Sequence, residues 1–163
     1  GLGMSPRRIT LSTSGVPKMI KKLADDEVKF HLAVSLHSAI DEVRTQIMPF
    51  NAKFPLSDLK ESLIYWYEKT GKSVTYEYIV WNGINDREED IRALVDFCQA
   101  IPCKVNIIEY NPIDDGQFQQ GSDNAVAKYV NALEANRITV TLRHSRGKDI
   151  DAACGQLANK IKA

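Results

Sequence analysis

The stretch "SVTYEYIVWNGIND", Ser73 to Asp86, decides the fold. Between Ser73 and Trp81, β-branched and aromatic residues crowd together, which marks a strand. Alternation places Val74, Tyr76, Tyr78 and Val80 on one face and Thr75 and Glu77 on the other. A carboxylate in mid-strand is costly unless it is paired or wet, so Glu77 leaves two readings, a polar barrel interior or an edge strand facing solvent. The strand runs into "WNGIND", Trp81 to Asp86, a polar, turn-forming loop. From Glu88 to Ala100 the apolar residues Ile91, Leu94, Val95 and Cys98 then recur at helical spacing. Strand, polar loop and helix make one βα unit.

The unit repeats along the chain. Strand patterns occur at Arg8 to Ser12, Lys29 to Leu36, Lys104 to Tyr110 and Ile138 to Arg143 as well. Helices fit the intervals, most clearly Ser57 to Lys69 and Ala125 to Ala135, and a helix from Pro17 to Leu23 follows "STSG" with proline tolerated in its first turn. Strands separated by helices imply a mostly parallel sheet, either a barrel segment or an open doubly wound sheet. Past the strand ends the residues are small and polar: "STSG" (Ser12 to Gly15), "SLHS" (Ser35 to Ser38), "YNP" (Tyr110 to Pro112) and "RHSRG" (Arg143 to Gly147). Such a rim is where a barrel binds its ligand, although any loop favours the same residue types. His37 at one of these strand ends is either a ligand contact or a loop histidine without a role.

A chain of 163 residues, 44% apolar and 26% charged, suits a single domain over residues 1–163 with a substantial core. Lysine plus arginine equals aspartate plus glutamate at 21 each, so net charge points to no class of partner. The distribution says more: from Arg137 onward the basic residues Arg137, Arg143, Arg146, Lys148, Lys160 and Lys162 face only Asp149 and Asp151. That end either meets an anion or is a solvated face. No apolar run reaches the 18 or so residues of a membrane span, and no signal peptide opens the chain, so a cytoplasmic protein with no membrane partner is expected. The absence of methionine at residue 1 and the immediate strand pattern suggest a piece of a longer protein. No glycine-rich phosphate loop of the G-x-x-x-x-G-K kind occurs, which weakens a generic βα sugar or phosphate enzyme.

Three cysteines, Cys98, Cys103 and Cys154, form no Cys-x-x-Cys pair, which argues against a disulfide framework or a self-contained metal site. Cys98 and Cys103, at a helix end and before a strand, read as packing residues. Cys154 is different. It follows a basic run in "RHSRGKDIDAACGQL", Arg143 to Leu157, where Asp149 can cap a helix and small neighbours leave the sulfur open. Nearby cations would favour thiolate, while tight packing of Ala152, Ala153 and Cys154 is the plainer alternative.

Taken together, "RITLSTSGVPKMIKKLAD", "LAVSLHSAIDEVRTQIMPFNAKFPL", "YEYIVWNGIND", "PCKVNIIEYNP" and "RGKDIDAACGQL" resemble the C-terminal half of RlmN over nearly the whole chain. RlmN is a family of dual-specificity radical S-adenosylmethionine (SAM) RNA methyltransferases that modify C2 of an adenine in 23S rRNA and in certain tRNAs. The resemblance implies an α/β fold, the C-terminal portion of a partial (βα)6 radical SAM (TIM-like) barrel of mostly parallel strands alternating with helices. It implies SAM binding at Ser12, Ser35, Leu36, His37 and Asn111. Cys154 matches the cysteine that becomes S-methylated. C2 of adenine is not nucleophilic, so in the family the methyl group passes first to the thiolate and reaches the base by radical chemistry, with a second cysteine resolving the protein–RNA crosslink through a disulfide.

The family also implies a [4Fe-4S] cluster, an electron donor to reduce it, and 23S rRNA and tRNA as partners. This sequence lacks Cys-x-x-x-Cys-x-x-Cys, the resolving cysteine and the Gly-Glu motif that meets the SAM amino group. The cluster ligands and an N-terminal accessory domain are therefore expected outside this chain, with no metal ligand inside it, and the isolated fragment is expected to be inactive. For RNA contact, Arg143, Arg146 and Lys148 are the candidates, or else the arginines pair with Asp149 or Asp151. The competing readings are a Cfr-like enzyme that methylates C8 and a non-catalytic RNA-binding domain.

Overall fold

The computed structural model describes residues 9–110 and 119–145. Its elements run β1 (Thr10–Thr13), α1 (Pro17–Asp25), β2 (His31–Ser35), α2 (Asp41–Ile47), a 3-10 turn (Pro49–Ala52), α3 (Leu56–Thr70), β3 (Val74–Tyr78), α4 (Glu88–Cys98), β4 (Cys103–Tyr110), α5 (Asp123–Ala135) and β5 (Thr139–Ser145). All five strands lie parallel in one sheet, in the order β1-β2-β3-β4-β5.

Strand order in space repeats strand order in sequence, with no reversal, and this separates a barrel segment from a doubly wound sheet. The packing agrees. One core unites Leu32, Val34, Val74, Tyr76, Tyr78, Val105 and Ile107 of the strands with Ile20 and Ala24 of α1, Leu59, Leu63 and Trp66 of α3, Ile91 and Leu94 of α4, and Tyr129 and Leu133 of α5. Because alternate strand residues point oppositely, these strand side chains all lie on one face, and α1, α3, α4 and α5 cover that face. Each large side chain fully withdrawn from water there, such as Leu59 or Leu94, contributes roughly 1.5–3 kcal/mol.

The opposite face is polar. Across it run two rows in register, Ser12, Ala33, Thr75, Lys104 and Thr139, then Ser35, Glu77, Asn106 and Thr141. Glu77 lies on the central strand, so the edge-strand reading falls and the interior of a partial barrel remains. Ser12, Lys104, Thr139 and Thr141 are exposed on this face, and Ser35, Thr75, Glu77 and Asn106 are half-buried.

Local chemistry explains the helix ends. Pro17 opens α1 where a missing N–H costs nothing. The Ser122 hydroxyl accepts the Ala125 N–H at 3.1 Å and caps α5. Helix α3 closes on Gly71 at φ 68°, whose N–H returns to the Tyr67 carbonyl. At the start of α4 the buried Asp90 carboxylate accepts both the backbone N–H and Nε of Arg87 at 3.0 Å. The sequence pattern extends β3 to Trp81, but its ladder stops at Tyr78; beyond it, Trp81 bridges antiparallel to Gln120.

Candidate functional site

The C-terminal ends of the parallel strands form one rim, and two buried polar centres hold it. The first is Arg44 of α2, fully buried. Its Nε donates to the Leu36 carbonyl at 3.0 Å, Nη1 to Asn51 Oδ1 at 2.9 Å, and Nη2 to the carbonyls of Ser14 and Ser35 at 2.8 and 3.0 Å. Asn51 in turn donates to the backbone and carboxylate of Asp41 and to Thr45 Oγ1, while Asp41 Oδ1 accepts the Leu56 N–H. Burial lowers the Arg44 pKa to about 10, against the pull of Asp41, so the guanidinium stays charged at neutral pH.

The second centre is Asn85, fully buried in the loop after β3. Its Oδ1 accepts the Trp81 N–H at 2.6 Å, and its Nδ2 donates to the carbonyls of His37 and Ile79 at 2.7 and 2.9 Å. The Tyr129 hydroxyl reaches the Asn85 carbonyl and lies 2.8 Å from the Tyr78 hydroxyl, tying α5 to β3 beneath the rim. An apolar patch of Ile79, Trp81 and Ile108 sits beside this centre, packed against Ile47 and Ile84.

Of the residues singled out from the sequence, Ser12, Ser35, Leu36, His37 and Arg143 lie among the described residues. Ser12 and Ser35 lie on the polar face of adjacent strands. Leu36 turns its side chain into the core, so it can offer a ligand only its backbone. His37 is 4% exposed and adopts the left-handed φ of 57°. Its Nδ1 accepts the Ile79 N–H at 3.1 Å, which requires an unprotonated Nδ1. Burial, and then the charge of Arg44, lower its pKa to about 3. Arg143 lies near the end of β5, exposed and on the polar face. Asn111, Arg146, Lys148 and Cys154, with the Asp149 cap, lie outside the described residues.

Sequence reading missed Arg44, Asn51 and Asn85. Arg44 has a signal in retrospect: it shares an α2 stripe with Ile40, Val43, Ile47 and Met48, where a charge is out of place unless it is bonded. Cys98 and Cys103 pack against the core on the helix side, with Cys103 Sγ donating to the Cys98 carbonyl at 3.6 Å. The Cys103 sulfur and burial push the Cys98 thiol above its ordinary range, unlike a poised nucleophile.

Among the described residues no group of three or more His, Cys, Asp or Glu is placed to share a metal ion, so an iron–sulfur cluster does not fit there. A polar, cationic organic ligand fits better. Asn106 Oδ1 is buried with no hydrogen-bond partner, and it stands in register with the Glu77 carboxylate on the polar face. No described helix is long and apolar enough to cross a membrane.

A one-sided parallel sheet with helices on one face and polar side chains on the other defines the class, a partial TIM-like α/β barrel. A crystal structure of a radical SAM methyltransferase from Sphaerobacter thermophilus superposes with a TM-score of 0.86 at 36% identity, covering 96% of this chain and 46% of that one. A domain of pyruvate-formate lyase-activating enzyme from Bacteroides vulgatus, at 14% identity and a TM-score of 0.63, shares the fold alone. In sequence the chain is RlmN-like along 98% of its length, which bears out the resemblance to the C-terminal half of that family. It is 69% identical over 160 residues to a probable dual-specificity RNA methyltransferase RlmN of Flavobacterium psychrophilum, and 72% identical to that of Christiangramia forsetii. The similarity holds at 47% with Salinibacter ruber. The chain spans about half the length of the curated relatives it matches, 46% for the first two. No family model matches it.

Proposed function

We propose that this chain is part of a radical SAM RNA methyltransferase that modifies C2 of adenine in 23S rRNA and in certain tRNAs. The observation that carries the reading is the one-sided sheet, which sets Ser12, Ser35 and Arg143 on a single polar face, each in the C-terminal half of its own strand. The names and high identity of the relatives support it.

On this reading Ser12, Ser35, the backbone of Leu36 and His37, and Asn111 hold SAM. When bound, SAM supplies the methyl group, and reduced by a [4Fe-4S] cluster held outside this chain it supplies the radical. The chain's own residues do the positioning. Exposed Ser12 offers a hydroxyl able to donate and accept, and the acceptors of the polar face suit a sulfonium cation. Cys154 carries the methyl group as a thioether. Arg143, Arg146 and Lys148 supply cations for the RNA backbone, which would make binding salt-dependent. The protein works in the cytoplasm with a reducing partner, and residues 1–163 alone are inactive.

The test is peptide mass spectrometry of the full-length parent, produced in cells, on the tryptic peptide containing Cys154, together with nucleoside analysis of its RNA. A one-carbon addition on that sulfur, 2-methyladenosine in the RNA, and loss of both in Cys154→Ala are expected. An unmodified thiol in protein with an intact cluster and SAM would overturn the reading. Methylation at C8 would move the protein to the Cfr-like class.

A further inference from the structure

We propose that Arg44 is a positioning residue for the cofactor rim: by clamping the carbonyls of Ser14, Ser35 and Leu36 it fixes the two loops that present Ser12, Ser35 and His37 to SAM. The inference rests on the reading of this rim as the SAM site.

The geometry is specific to a guanidinium. Four of its five N–H directions are used, and three of the four acceptors are main-chain carbonyls at the ends of β1 and β2. Ser14 belongs to the loop before α1, and Ser35 and Leu36 lead into the loop before α2, so one side chain joins segments far apart in sequence. Among the described residues its charge meets no carboxylate at ion-pair distance; the carbonyl dipoles and the Asn51 amide surround it instead. A buried cation without a direct counter-ion is a demanding arrangement, and here its acceptors are those of the rim itself.

Arg44 cannot touch a ligand, because it is fully buried. Nor does the sheet depend on it for its helices, since the core beneath is made by Ile20, Leu59, Leu63 and Trp66. What it adds is a fixed spacing between two strand-end loops. Gly15 fits the same design: its φ is +100°, and a Cβ there would stand 3.1 Å from Leu59 Cδ1 and 3.4 Å from Arg44 Nη2. Lysine, a single ammonium on a flexible stem, cannot bridge all these acceptors.

The experiment uses the full-length parent with its cluster and compares wild type, Arg44→Lys and Asn51→Ala. Two quantities are read: amide hydrogen exchange over residues 12–16 and 35–38, and equilibrium affinity for SAM. The expected result for Arg44→Lys is exchange at these amides faster by about tenfold or more, and SAM affinity lower by about tenfold, with core amides in α3 and β3 still protected. Asn51→Ala, which leaves the three carbonyl bonds in place, is expected to show a smaller change in the same direction and serves if Arg44→Lys fails to fold. Unchanged exchange at the two loops, in either folded variant, would overturn the positioning role whatever the SAM affinity. Faster exchange with unchanged SAM affinity would leave Arg44 as the clamp but remove SAM from this rim, so the two failures are distinct.

Discussion

Lowering the pH should weaken the fold through His37, and the size of the effect follows from its surroundings. The native imidazole is buried, its Nδ1 accepts the Ile79 N–H, and its pKa stands at about 3 instead of 6.5. Below pH 6.5 the unfolded chain therefore binds a proton that the native state excludes, and stability falls with pH until about 3. Each pH unit in that window costs about 1.4 kcal/mol, so lowering the pH from 7.5 to 5 removes about 2 kcal/mol through this residue. His37→Asn isolates the contribution: asparagine tolerates the left-handed φ of 57°, its side-chain oxygen can accept the Ile79 N–H, and it does not titrate. Urea unfolding of both proteins at pH 7.5 and pH 5 is the assay. Wild type should lose about 2 kcal/mol more than His37→Asn over that interval. Parallel losses in the two proteins would refute the reasoning.

Two further predictions concern the site and its surroundings. Asn85→Ala leaves one buried N–H and two buried carbonyls without their side-chain partner, so a loss of about 3–5 kcal/mol is expected in urea or thermal unfolding; a loss below about 1 kcal/mol would mean the loop finds other partners. Cys98→Ser with Cys103→Ser should lower stability by roughly 1–3 kcal/mol, since polar groups enter the core, while the RNA methylation proposed for the full-length protein should be unaffected. Loss of methylation in the folded double variant would give this pair a chemical role.

The strands were readable because β-branched and aromatic residues alternate, as in Val74, Tyr76 and Tyr78 against Thr75 and Glu77. Helix placement followed for α3, α4 and α5, whose apolar stripes are long. Helix α2 was not legible on its own, being seven residues, too short for its pattern to stand out. Glu77 was ambiguous for a different reason. Periodicity assigns a residue to a face, but only the order of strands decides whether that face belongs to an edge or to an interior. The choice between a barrel segment and a doubly wound sheet hung on the same nonlocal fact. For the site, composition marked the strand ends as polar, and Ser12 and Ser35 do share the polar face. The residues that brace the strand-end loops, Arg44 after β1 and β2 and Asn85 after β2 and β3, act through backbone carbonyls that carry no side-chain signature in the sequence.

The matching order of strands in chain and sheet also bears on how the molecule is made. Every ladder joins neighbours in sequence, Thr10 with His31, Leu32 with Val74, Val74 with Cys103 and Lys104 with Thr139, so no strand waits for a distant partner. A nascent chain can therefore dock each new βα unit onto the one before it as synthesis proceeds, closing one crossover through a helix at each step. Growth in one direction moves only one edge forward, while the outer edge of β1 has no strand partner among the described residues, so two edges of this parallel sheet carry the aggregation hazard of unpaired backbone.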